Sequence, residues 1–358
     1  MERRCYHLAK LRLIPYIVES ISATGSEIPA GVRAVHAPEV WAESKGTNVV
    51  VAVIDTGCDY NHPDLRGRVI GGRNFSKDYN ANPNEYMDNN GHGTHVAGTI
   101  GAIFNNSGVV GVAPEVKLLV LKVLGSDGSG SYQSIVDAVR YAAQWRGPNG
   151  QRVRVISMSL GGPDDVPAVH EAIKNAVASN ILVVCAAGNE GDGNPNTVEK
   201  SFPGAYQEVV EVGAVDVNGT PASFTNTNSE IDLVGPGINI LSTYPGNRYA
   251  TLSGTSMAAP HISGGAAVLI DKLEREYGRA LSEAEIYAQL VKHTRSLRLD
   301  KRIEGNGMLD LTAVSQLPPS AVPKTIAVRK YAAGYAVVAG YFKNKAEADV
   351  FAEQVRRL

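Results

Sequence analysis

The sequence predicts an α/β fold: a parallel sheet covered by helices on both faces. Three observations carry this. Continuous β-branched runs recur at residues 48–57 (NVVVAVIDTG), 116–123 (VKLLVLKV), 153–160 (VRVISMSL), 181–189 (ILVVCAAGN) and 209–215 (VVEVGAV). Stretches with helical spacing lie among them, at residues 92–103, 131–145 and 165–179, and two more follow at 256–277 and 282–294. Two of the runs end in Asp-Thr-Gly and Gly-Asn, and the first helical stretch opens on a His between glycines. Strands buried on both faces read as unbroken apolar runs, and their alternation with amphipathic helices implies parallel pairing.

Composition bounds the function. At 358 residues the chain can bury a full-sized core and carry appendages. Thirty-four Lys and Arg against 36 Asp and Glu give a net charge of −2, without the basic stripe that nucleic acid requires. No stretch approaches the ~20 apolar residues of a membrane helix. The first twenty residues lack the apolar segment of a secretory leader. Three cysteines, Cys5, Cys58 and Cys185, are an odd number that argues against a disulfide framework. A reduced, cytoplasmic setting without nucleic acid or membrane partners is expected.

The chemistry is concentrated at four places. Asp55 closes the first apolar run, where a buried carboxylate is costly unless paired. His92 stands between Gly91 and Gly93 in NNGHGTHVAG, which lets a substrate backbone approach the imidazole. His95, among apolar residues, reads as a core histidine. Asn189, after a buried strand and AAG, can aim a carboxamide at an oxyanion. Ser256 opens a long apolar helix, where free N–H groups favour developing negative charge. Alone, each has an ordinary reading: a turn Asp, a packed His, an Asn turn, a small helix residue. Together they form a nucleophile, a base, an orienting carboxylate and an oxyanion donor.

The order Asp, His, Asn, Ser, with DTG, GHGTHVAG, SLGG, AAGNEG and GTSMAAPH, resembles the subtilisin family of serine proteases from about Val32 to Leu311. LIPY near the start, EIPAGV, YAAQWRGPNG and EIYAQLV are similar to its intracellular branch from spore-forming bacteria. The resemblance implies Ser256 as nucleophile and His92 as general base. It implies Asp55 as the holder of the imidazole, and Asn189 with the Ser256 amide as the oxyanion hole. It further implies an endopeptidase that is cytoplasmic, calcium-dependent and homodimeric, made with a short N-terminal extension.

Substrate would add as a strand beside GSDGSG, with Gly128, and beside Ser159, Leu160 and Gly161. Ala186, Ala187 and Gly188 would wall a roomy, apolar first specificity pocket, giving broad specificity. For calcium, the resemblance points to Asp64 and Asn106, the latter in a loop, FNNSGVVG, one residue shorter than in secreted members. A weaker cation site would use Glu230 and Asp232. Residues 1–25 form the extension, in which Leu13, Ile14 and Tyr16 are expected to lie across the cleft as a substrate mimic. Pro15, lacking an N–H and fixed in φ, should kink that strand so that its carbonyl misses Ser256. Met257, beside the nucleophile, is the residue whose oxidation would damage the site.

The catalytic domain is assigned to residues 26–316, and LPPSAVPK at 317–324 reads as a linker. Residues 325–358 read as a strand and an amphipathic helix similar to half of a SPOR repeat. A non-peptidase serine hydrolase is disfavoured by the absence of a GxSxG elbow around Ser256. A silent peptide-binding protein is disfavoured by the intact catalytic set.

Overall fold

The structure, a computed structural model, describes residues 10–25, 27–313, 329–330 and 336–337. Its centre is a nine-stranded sheet with the spatial order 294–295, 308–309, 231–236, 210–215, 182–186, 153–158, 50–55, 117–122 and 69–74. Every neighbouring pair is parallel except Thr294–Arg295 against Met308–Leu309 at one edge. The expected α/β architecture is therefore present.

Alternation along one strand shows why the runs are unbroken. Val51 and Val53 face a buried cluster with Val96, Ala97, Ile262 and Ala266, from helices His92–Gly101 and Thr255–Tyr277. Val50, Ala52 and Ile54 face a second cluster with Ile135, Val139, Ile173 and Ala176, from helices Tyr132–Gln144 and Pro167–Ala178. Neither face of Val50–Asp55 meets water, so neither can be polar. Asp55 ends that strand and Asn189 follows Leu182–Ala186, while Ser256 and His92 begin the two helices on one face. All four meet at the carboxyl edge of the sheet, where open α/β sheets bind ligands.

Two small sheets flank this edge. Lys10–Leu13 lies between Ser129–Ser131 and Leu160–Gly161, antiparallel to both. Ile17–Ser22 adds to the hairpin formed by Ile240–Tyr244 and Arg248–Ser253. Periodicity gave no warning of this last strand. Ile17, Val18 and Ile21 are all about half exposed, so no buried face imposes an alternating pattern.

The chain divides into two compact units, residues 1–313 and 314–358. In the second, Arg329–Lys330 pairs antiparallel with Ala336–Val337, the latter inside the expected strand. The linker at 317–324 and the helix expected near the C-terminus lie outside the described residues. Among the described residues, no helix is long and apolar enough to cross a membrane. Cys58 and Cys185 are free and fully buried, and burial pushes both thiols well above their ordinary pKa, which fits packing. Cys5 lies outside the described residues.

His95 is the core histidine its apolar neighbours imply: its Nε2 lies 2.9 Å from the Ile240 carbonyl and 3.1 Å from that of Ala250. Burial pulls its pKa down from 6.5 to about 3. The unfolded chain therefore takes up this proton near pH 6.5 and the folded chain only near pH 3. The resulting stability is complete above 6.5 and is lost as pH falls through that window. Thermal melts of the Ser256→Ala chain, which cannot digest itself, should show a midpoint falling from pH 7 to pH 5. His95→Gln should flatten the fall, and equal slopes would contradict this assignment.

Candidate active site

Asp55 and His92 meet as expected. Asp55 Oδ1 accepts from His92 Nδ1 at 2.8 Å and from the Thr56 amide at 2.7 Å, and both side chains are buried. With Nδ1 as donor to the carboxylate, Nε2 is the basic nitrogen left to face a nucleophile. Among the described residues that nitrogen has no hydrogen-bond partner. Ser256 Oγ instead donates to the Ser159 carbonyl at 3.2 Å, while Ser159 Oγ donates to the Ser256 carbonyl at 2.9 Å. The pair that must exchange the proton is thus not joined in this state.

Asn189 is turned by its neighbours. Its Oδ1 accepts from the Thr255 amide at 2.9 Å and from Thr255 Oγ1 at 2.8 Å. The Nδ2 end is therefore directed away from Thr255, and it donates to the Pro15 carbonyl at 2.5 Å. Thr255 is a functional residue that sequence reasoning missed, although it sits inside the GTS motif. Its Oγ1 also accepts from the Gly188 amide at 3.2 Å.

The N-terminal segment occupies the cleft. Arg12 pairs with Gly161 and Ser129, Leu13 with Leu160, and the Leu13 amide donates to the Gly128 carbonyl at 2.9 Å. Gly128 has φ +71°, the left-handed region that favours glycine, and a Cβ there would press on Leu13 Cδ1 at 3.0 Å. Ile14 is 2 % exposed, with Cδ1 3.6 Å from the place of a Cβ on Gly161, itself against Ser201 Oγ. Ala186, Ala187 and Gly188 are buried beside Asn189, braced by the Asn226 amide, which donates to the Ala187 carbonyl at 2.9 Å. Tyr16 tilts against His92, with ring centroids 4.9 Å apart, and burial pushes its hydroxyl up to about 12.

One feature differs from expectation. Leu11, fully buried beside strand 129–131, belongs to the occupying segment but escaped notice because LIPY drew the boundary at Leu13. The proline was expected to kink the strand so that its carbonyl misses Ser256, and the Pro15 carbonyl accepts from Asn189 Nδ2. Ile14 fills the buried position against Gly161, and Pro15 supplies the carbonyl held by Asn189.

Asp64, Glu230 and Asp232, expected to hold cations, are hydrogen-bonded within the protein. Asp64 is fully buried, but its carboxylate is satisfied by Asn105 Nδ2 at 3.0 Å, the Val109 amide at 2.9 Å and the Tyr249 hydroxyl at 3.0 Å. A cation loop presents carbonyls where this one presents an N–H. Asn106 and Gly108 take φ +60° and +63° in this loop, and the Val109 N–H points to Asp64. Asn105 rather than Asn106 thus faces Asp64. Asp232 Oδ2 accepts from the Glu211 amide and Oδ1 from the Tyr287 hydroxyl, whereas Glu230 accepts from the neighbouring Ser229. Among the described residues, no three His, Cys, Asp or Glu side chains converge. EDTA should leave the melting midpoint of the full chain within about 2 °C of its untreated value. A larger calcium-dependent rise in calorimetry would mean that the loop reorganises to offer carbonyls.

Comparison with known proteins decides the lineage. Residues 46–311 match the model of the subtilase family. The chain belongs to the subtilase family. It is 53 % identical over 308 residues to an intracellular serine protease of Paenibacillus polymyxa, covering 86 % of this chain and 93 % of that one. It is 51 % identical over 314 residues to the major intracellular serine protease of Bacillus subtilis strain 168, covering 87 % and 97 %. Subtilisin E of the same strain is 41 % identical over 275 residues, covering 76 % and 69 %. The chemistry of this subtilase is that of a serine endopeptidase, with the Asp55–His92 pair already assembled.

Proposed function

We propose that this chain is an intracellular serine endopeptidase of broad specificity, made in a latent form blocked by its own residues 10–16. Ser256 attacks the scissile carbonyl while His92 Nε2 takes the hydroxyl proton and returns it to the leaving amine. Asp55 holds the imidazole and stabilises its charged form, and Asn189 with the Ser256 amide receives the oxyanion. Peptide main chains enter as a strand between 129–131 and 160–161, where glycines leave room for varied side chains. Ile14, buried beside Gly161, supports a preference for large uncharged residues before the cleaved bond.

One observation carries the latency: Asn189 Nδ2 is spent on the Pro15 carbonyl while Ser256 Oγ is hydrogen-bonded away from His92. The test compares hydrolysis of a small chromogenic peptide by the full chain before and after removal of its first residues. The processed form should be far more active, and a full-length chain with equal activity would refute latency. Assembly as a homodimer is what the family resemblance implies, and sedimentation of the Ser256→Ala chain would reveal it.

A further inference from the structure

The imidazole and its carboxylate come from separate elements, a strand end and a helix start 37 residues apart. Something must fix the distance between them. The helix cannot cap itself, because its N-cap is Gly91, with φ +117° and no side chain, and a Cβ there would lie 2.4 Å from the Tyr244 ring. Its first amides are therefore satisfied from outside. The His92 amide donates to Asn90 Oδ1 at 3.2 Å, and the Gly93 amide to Thr56 Oγ1 at 2.9 Å. The Thr94 amide donates to Asp88 Oδ2 at 2.9 Å.

Asp88 does more than cap. It is 5 % exposed, and its Oδ1 also accepts from the Thr56 hydroxyl at 2.9 Å, the Asn90 amide at 3.0 Å and the Gly91 amide at 2.9 Å. Its Oδ2 further accepts from Thr94 Oγ1 at 2.6 Å. One carboxylate thus grips the helix start and, through Thr56, the residue after Asp55. On the far side of Thr56, the buried Lys122 ammonium donates to the Thr56 carbonyl at 2.7 Å. Glycine lets the two backbones close up: a Cβ on Gly93 would lie 2.2 Å from the Gly57 carbonyl oxygen.

We infer that Asp88 is a positioning residue for catalysis, clamping the Thr56 strand end to the first turn of the His92 helix and so setting the Asp55–His92 hydrogen bond. Only a carboxylate can accept from all five donors. In Asp88→Asn, the same-sized amide must turn an N–H₂ group toward either the Thr56 and Gly91 donors or the Thr94 donors. One half of the clamp then opens without any change in volume.

The inference takes the endopeptidase chemistry as given, and its test reads the step that His92 performs. Full chains of wild type and Asp88→Asn are processed in trans by immobilised wild-type enzyme and normalised by active-site titration. Asp88→Asn should lower kcat about tenfold or more with KM within about twofold, since the cleft itself is untouched. Thr56→Val, which removes the Thr56 hydroxyl from Asp88 and from the Gly93 amide but leaves the Asp88 bonds to the Gly91 and Thr94 amides, should show the same signature. In a His92→Ala background the Asp88→Asn loss should vanish, because a clamp acting through the imidazole has nothing left to position. Unchanged kcat, a loss carried by KM, or an equal loss without His92 would overturn the inference. Failure of both variants to fold would also overturn it, marking Asp88 as a folding residue.

Discussion

Ser256→Ala should abolish peptide and casein hydrolysis while leaving the fold and the melting midpoint in place. Ser256 is buried at the head of its helix, and its Oγ makes one hydrogen bond, to the Ser159 carbonyl. Losing that contact costs about 1 kcal/mol of stability, small beside a domain of this size. Losing the nucleophile removes the acyl-enzyme route altogether. The fall in kcat should be on the order of 10⁶-fold, the magnitude known for subtilisin, to which this chain is similar. Activity measured on the Ser256→Ala chain, purified free of wild-type enzyme, decides the matter. Turnover within about a hundredfold of wild type would assign the chemistry elsewhere.

Pro15→Ala should turn the latent chain into one that cuts itself. In the wild-type segment Ile14 fills the buried position and Pro15 presents the carbonyl to Asn189. Proline enforces this split, because its ring fixes φ and the bond to Ile14 has no N–H. Alanine frees that torsion and restores an ordinary secondary amide, so the backbone can settle with pocket residue and carbonyl in one register. Self-processing of purified full-length protein, followed on gels at fixed concentration, should accelerate at least about tenfold. The Ser256→Ala/Pro15→Ala double variant should stay intact, showing that the cut needs the chain's own serine. A Pro15→Ala chain that processes at the wild-type rate would rule out the proline block.

The segment beyond Tyr16 adds a second hold. Ile17–Ser22 pairs with Arg248–Ser253, the strand leading into Gly254 and Ser256, and Ser253 Oγ donates to Glu19 at 2.9 Å. Residues 14–16 are therefore flanked by strand pairing at 10–13 and again at 17–22. This second anchor was illegible in the sequence, because IVESIS is polar and apolar in no regular order. Leu11 was illegible for a different reason, being one leucine among several in a basic stretch with no turn signal to set it apart.

Other features were legible in kind but not in detail. Asp64 could be singled out from NHPDL, yet whether its carboxylate faces carbonyls or amides depends on how a four-residue loop turns at Asn106 and Gly108. Asp88 and Thr56 are present in plain sight as DNNGH and DTG. Nothing in their spacing says that one carboxylate joins them.

The sequence alone determined the architecture and, through the family resemblance, named the candidate reacting groups. Unbroken apolar runs can be stable only in a sheet covered on both faces, and the residues that close them must then lie along one edge. Asp55 and Asn189 stand at two of those strand ends, His92 and Ser256 at the starts of two helices, and their roles are what the family resemblance implies. Tertiary structure decided the state of the site: which carbonyl Asn189 holds, where Ser256 points, and that Asp64 is already satisfied. Those outcomes depend on strand register and on hydrogen-bond distances between groups far apart in the chain. A shift of one residue reverses them while leaving every local pattern unchanged.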